Sequence, residues 1–200
     1  MAARSLEFWF EFASTYSYLS AMRIGKVATA AKIDVEWKPF LLGPIFQAQG
    51  WNDSPFNLYE AKGRYMWRDM ERLCEGYGLA FRRPSRFPRN GLLAARTALV
   101  ALDGGFGGDF VRGVYHAEFA EDRDIGERRE IARVLEGLGR DPDVVLEAAL
   151  APRNKDRLRT QTELAVKRGI FGAPSFVVGR ELFWGNDRLG DAVAACALGT

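Results

Sequence analysis

The chain alternates like a sheet at both ends and like helices between them, and this order restricts its possible folds more than any other feature. From Leu6 to Phe12, Phe8, Phe10 and Phe12 share one side while Glu7, Trp9 and Glu11 share the other, a period of two. Tyr16 to Ala31 then carries good helix formers, with Ser14 or Thr15 placed to cap its start. Ile33 to Phe40 alternates again, with Ile33, Val35 and Trp37 set against Asp34, Glu36 and Lys38. Strand, helix and strand within about 35 residues make a right-handed βαβ unit. At the far end, "APSFVVG" and "RELFW" read as strands joined at Gly179 and Arg180, and "DRLGDAVAACALG" reads as a closing helix.

The middle of the chain is helical. "AKGRYMWRDMERLCEGYG" sets Met66, Met70, Leu73, Cys74 and Tyr77 on one face, and "RREIARVLEGLGRDP" does the same with Ile131, Val134, Leu135 and Leu138. Asp141 and Pro142 suit the cap and first turn of one helix, and basic residues before Gly169 suit the end of another. The glycine cluster "DGGFGG" follows a helix and lacks Lys-Ser or Lys-Thr, so it reads as a helix-to-helix turn, not a nucleotide loop. The order βαβ, helices, ββα predicts an α/β chain with a thioredoxin-like fold and an all-helical insertion domain. Residues 5–57 and 168–200 would form the discontinuous thioredoxin-like domain, and 58–167 the insertion. The stretch 41–57, rich in Gly, Pro, Asn and Asp, reads as a long loop, a place where function often sits.

Composition narrows the function classes. Apolar residues make up 48% of the chain, which excludes a disordered polypeptide. A net charge of +2 from 28 basic and 26 acidic residues gives no support to a nucleic-acid or membrane partner. The two cysteines, Cys74 and Cys196, form no CxxC pair, and with His116 the sole histidine no zinc cluster is available. "MAARSLEFWF" lacks a signal-peptide pattern, and no apolar run approaches bilayer length, so a cytoplasmic protein is expected.

In a thioredoxin layout the first helix begins where a CxxC pair would stand, and here those positions read Ser14, Thr15, Tyr16 and Ser17. Serines cannot form a disulfide, so the chain's own side chains perform no thiol exchange there. A hydroxyl and the unpaired amides of a helix start remain, and together they favour an anion. A foreign thiolate suits that place: lowering a thiol pKa by about two units takes about 2.7 kcal/mol, within reach of one charge-assisted hydrogen bond plus a helix terminus. The alternative is that Ser14 only caps the helix. Pro174, just before a strand, stands where thioredoxin-like folds keep a cis-proline facing the helix start. Asn186 and Asp187, where the last strand meets the last helix, could cap that helix or hold an ammonium group.

Three segments, "EFASTYSYLS", "GIFGAPSFVVG" and "LFWGNDRL", together with "PFNLYEAKGRYMWRDMERLCEGYGLAF", resemble the 2-hydroxychromene-2-carboxylate isomerases. With the kappa-class glutathione transferases these form a DsbA-like branch of thioredoxin folds. The resemblance implies a glutathione site in which Ser14 activates the glutathione sulfur and Tyr16 supplies the aromatic of the same turn. It implies that the Ala173 backbone pairs with the cysteinyl part, and that Trp184, Asn186 and Asp187 hold the γ-glutamyl end. Asn57 best matches a ligand-binding asparagine of the family, with Asn52 as the second choice. Thr15 departs from the pattern, since the family usually has proline there.

The reaction implied is a glutathione-dependent cis-trans isomerisation of 2-hydroxychromene-2-carboxylate to trans-o-hydroxybenzylidenepyruvate, a step of aromatic hydrocarbon catabolism. The substrate carboxylate needs a cation, and Lys62, Arg64, Arg82, Arg83, Arg86 and Arg89 are candidates. Phe46, Trp51, Tyr65 and Trp67 could wall an aryl pocket or be ordinary core. His116 reads as a surface or core residue. Two other readings are a kappa-class-like transferase or peroxidase acting on another electrophile, and a non-catalytic thiol- or peptide-binding protein. Relatives of this kind suggest a homodimer.

Overall fold

A computed structural model describes residues 4–199. It opens with β1 (Ser5–Phe10), α1 (Thr15–Ala31) and β2 (Asp34–Pro39). The helices α2 (Leu42–Ala48), α3 (Pro55–Leu58), α4 (Glu60–Tyr77), α5 (Leu92–Asp103) and α6 (Gly107–Phe119) follow. Then come α7 (Arg128–Gly137), α8 (Pro142–Leu150), α9 (Pro152–Lys167), β3 (Ser175–Val178), β4 (Glu181–Trp184), a 3-10 turn at Asn186–Arg188, and α10 (Leu189–Leu198).

The four strands lie in the order β2-β1-β3-β4, with β1 parallel to β2 and β3 antiparallel to both β1 and β4. This is the expected thioredoxin-like α/β layout. Both faces of β1 are buried, because its alternation separates two apolar sets. Phe8 and Phe10 join Phe12, Phe176 and the inner sides of α1, α6 and α10 in the larger core. Trp9 points the other way, into a smaller core of Phe40, Ile45, Ala165, Ile170 and Val177 under α2 and α9. Phe8 stacks on Phe176 across the strands at 5.4 Å, and such aromatic pairs add about 0.5–1.5 kcal/mol beyond their buried area.

Two expectations need correction. The first strand stops at Phe10, not Phe12, because the Ser14 amide bonds the Glu11 carbonyl at 3.0 Å and closes a turn. The stretch 41–57 is not one loop: it contains α2 and α3. Its turn-forming residues are compatible with helix starts, since Pro44 lies in the first turn of α2 and Pro55 opens α3 behind the Ser54 cap. Among the described residues no helix is long and apolar enough to cross a membrane.

Candidate functional site

The site grows from the turn between β1 and α1. The carbonyl of Glu11 accepts from the Ser14 amide and from the Tyr115 hydroxyl at 2.8 Å, so the turn is pinned from α6 as well as from within. Ser14 is the N-cap of α1, and its Oγ accepts from the Ser17 amide at 3.2 Å. The Ser14 carbonyl takes the Tyr18 amide, while the amides of Thr15 and Tyr16 have no protein partner among the described residues. No acidic side chain occupies the first turn of α1 itself. Thr15 is buried with its hydroxyl on the Met66 sulfur at 3.3 Å. Ser17 is fully buried and faces the core, so of the two serines only Ser14 reaches the cavity.

Opposite this turn lies the segment before β3. The Ala173–Pro174 bond is cis, and the Ser14 hydroxyl donates to the Ala173 carbonyl at 2.9 Å. A serine has a single hydroxyl proton. In this arrangement that proton is committed to Ala173, so an anion at the helix start would have to draw it away. A bond to a charged acceptor is roughly twice as strong as one between neutral groups, so that exchange is favourable.

The other end of the site is polar. Tyr16 donates to the Asp69 carboxylate at 2.9 Å, and burial together with Asp69 pushes the Tyr16 hydroxyl far above its usual range. It therefore remains a donor. Asn186 is buried, and its side-chain oxygen accepts from Ser20 at 3.1 Å and from Arg23 at 3.0 Å. Its amide is thus bound to the protein, and it caps no helix. Asp187 is exposed on the cavity rim and paired with Arg188 at 3.1 Å. Trp184, exposed and packed on Phe171 at 4.8 Å, forms a lip beside Gly172. A Cβ at Gly172 would lie 2.4 Å from the Trp184 ring nitrogen, so glycine lets the indole lie flat there.

These groups open into one cavity of about 1580 Å³. It brings together Ser14, Tyr16, Ala173, Trp184, Asn186 and Asp187 from both ends of the sequence. Asn52, Lys62, Phe46 and Trp51 line it from the 41–57 stretch and α4. Asn57 does not: its amide donates to Asp53 at 3.1 Å and to the Phe87 carbonyl at 3.2 Å. Arg64 also lies outside, paired with Glu60 along α4. Arg82, Arg83 and Arg86 and the aromatics Tyr65 and Trp67 do not reach the lining. Trp67 packs against Phe81 and Phe87 under the Arg83 guanidinium. Arg89 contributes to the wall, but its guanidinium is buried on Asp122 and on the carbonyls of Asp122 and Arg123. His116 sits on the surface 3.6 Å from Glu121.

Three lining carboxylates were not anticipated from the sequence, Glu11, Asp53 and Asp69. Burial pushes the Glu11 carboxyl up to about 7. An acid closing an otherwise apolar strand directly before the serine turn was the available signal for Glu11. Asp69 carries none, because it reads as an ordinary exposed helix position.

Known proteins are similar to this chain in sequence and fold. Over 187 residues the chain is 29% identical to a 2-hydroxychromene-2-carboxylate isomerase of Sphingobium xenophagum, covering 93% of this chain and 94% of that one. It is 27% identical over 177 residues to glutathione S-transferase kappa 2 of Caenorhabditis elegans, covering 84% and 78%. A solved 2-hydroxychromene-2-carboxylate isomerase superposes with a TM-score of 0.87 at 25% identity, over 96% of this chain and 93% of that one. The model of the DSBA-like thioredoxin domain matches residues 5–196. With that match spanning the sheet, the serine turn and the cis-proline segment, the chain belongs to the DSBA-like thioredoxin domain family.

Proposed function

We propose that this chain is a glutathione-dependent cis-trans isomerase that converts 2-hydroxychromene-2-carboxylate to trans-o-hydroxybenzylidenepyruvate. The observation that carries the reading is the Ser14 hydroxyl, set at the start of α1 and 2.9 Å from the carbonyl of the residue before a cis-proline. The names of the relatives support it. The donor set suits a γ-glutamyl tripeptide. Ser14 and the free amides of Thr15 and Tyr16 would hold the sulfur as an anion, and the Ala173 backbone would pair with the cysteinyl unit. Asp187, with the backbone at Asn186, would meet the ammonium end beside Trp184. Lys62, whose ammonium lies 4.9 Å over the Tyr59 ring, is a cation free to meet a carboxylate.

Bound glutathione supplies a sulfur nucleophile whose reversible addition lets a conjugated double bond rotate. The chain's own contribution is to keep that sulfur ionised, to orient it, and to wall the aryl group with Phe46 and Trp51. The cavity exceeds what the tripeptide needs, which leaves room for a second molecule. That spare volume also keeps the kappa-class transferase reading in play. Purified protein, glutathione and the chromene carboxylate should give isomerisation with no net loss of glutathione. Consumption of glutathione with a chloronitroaryl acceptor, and no isomerisation, would establish transferase activity instead. The reading includes a cytoplasmic homodimer, which sedimentation and cell fractionation check.

A further inference from the structure

Glu11 has no place in the reading above, yet it stands closer in sequence to Ser14 than any other acid. Burial raises its proton affinity and the Ala13 amide partly offsets this, which sets the carboxyl close to the turn that presents Ser14. It lines the same cavity and is half-buried. A Cβ at Gly91 would approach one Glu11 carboxylate oxygen to 3.0 Å and the Phe12 Cβ to 3.1 Å. The bare glycine therefore leaves the carboxylate its space.

No cation neutralises this group. Among the described residues Glu11 forms no ion pair. From α6 it meets Tyr115, whose hydroxyl is spent on the Glu11 carbonyl, and Glu118, a buried acid with neither oxygen hydrogen-bonded. Burial first, and then Glu11, push the Glu118 carboxyl well above the usual carboxylate range. Asp124 adds to that effect on Glu118. From the 81–91 segment Arg89 acts on Glu118, and its guanidinium is tied to Asp122. A purely structural carboxylate in such surroundings would be expected to have a partner.

We propose that Glu11 is the proton acceptor of the site, taking the proton of the thiol that Ser14 and the helix start hold as an anion. The S–H bond breaks with its electron pair left on sulfur, an O–H bond forms on the Glu11 carboxylate, and the proton returns when the thiol leaves. No oxidant or other reactant is needed. The proposal rests on the glutathione reading of Ser14. Ser14 itself cannot serve as acceptor, because it must donate to the sulfur. Burial brings Glu11 to about 7, near the operating range of a general base.

Calorimetric titration of the protein with glutathione, in two buffers of different ionisation heat, counts the protons released on binding. S-methylglutathione, which has no thiol proton, is the control. At about pH 8, where Glu11 starts ionised, the native chain should release close to no proton per thiolate formed, because the negative sulfur formed beside Glu11 raises its proton affinity above the free-chain value. Glu11→Gln should still bind glutathione within about threefold and still show thiolate absorbance, but release close to one proton per site. Its turnover should fall about 100-fold, as is usual on loss of a general base. Equal proton release by both chains, with thiolate formed in each, overturns the role of Glu11 and leaves the Ser14 site standing. Absence of glutathione binding or of thiolate absorbance in the native chain overturns the glutathione reading and this role with it. A thermal melt of Glu11→Gln verifies that the variant is folded.

Discussion

Ser14→Ala removes one oxygen with two attachments in the folded chain and, in the proposed complex, a third. The Oγ caps α1 through the Ser17 amide and donates to the Ala173 carbonyl. Loss of a serine cap costs about 1 kcal/mol, and loss of a neutral hydrogen bond costs about 1 kcal/mol more. The Ala173 carbonyl borders the cavity, where water can replace the lost donor, so about 2 kcal/mol is the upper end. For a domain of this size that lowers the melting temperature by about 4–8 °C. A hydrogen bond to a charged acceptor contributes about 1.5–3 kcal/mol, so the pKa of a bound thiol should rise by about 1–2 units. The assay is a pH titration of the thiolate absorbance of the glutathione-saturated protein, paired with a melt of the free chain. A variant that melts lower but leaves the bound thiol within about 0.3 units of the native value would refute the reasoning. Position 14 would then be a cap and nothing more.

Three further outcomes are expected. The Glu11 carboxyl rises from 4.5 to about 7, so the folded chain holds that proton to higher pH than the unfolded chain does. Its contribution to stability is greatest below about pH 4.5, declines through about pH 7 and is level above, a total of at most about 3 kcal/mol. Glu11→Gln should remove that decline, and urea unfolding of both chains at about pH 5 and about pH 8 should show it; parallel slopes would contradict it. Gly63→Ala, whose Cβ would lie 2.2 Å from the Phe56 carbonyl, should cost about 1–3 kcal/mol and push α3 off α4. A melt unchanged from the native chain would show that the contact relaxes freely. Asp187→Asn should weaken glutathione binding about tenfold, as for one exposed charge–charge contact of about 1.4 kcal/mol, while calorimetry that finds equal affinity removes Asp187 from the ammonium contact.

Local pattern alone determined the βαβ, helices, ββα order, because strand and helix periods are written in consecutive residues. The alternation in β1 showed both its faces, and the Ser14 turn marked where the first helix starts. Periodicity could not show that Pro44 and Pro55 start short helices within 41–57, since proline serves a first turn and a loop equally well. Nor could it separate Asn52, on the cavity, from Asn57, turned toward Asp53 and Phe87. Tertiary structure decided those, and it alone brought Ala173 to Ser14 across 159 positions. It also showed that the Asn186 amide is held by Ser20 and Arg23, and that Glu11 lines the cavity. The physical reason is that burial and pairing belong to groups distant in the chain. A carboxylate's proton affinity is set by what surrounds it, and a sequence states that only after it has folded.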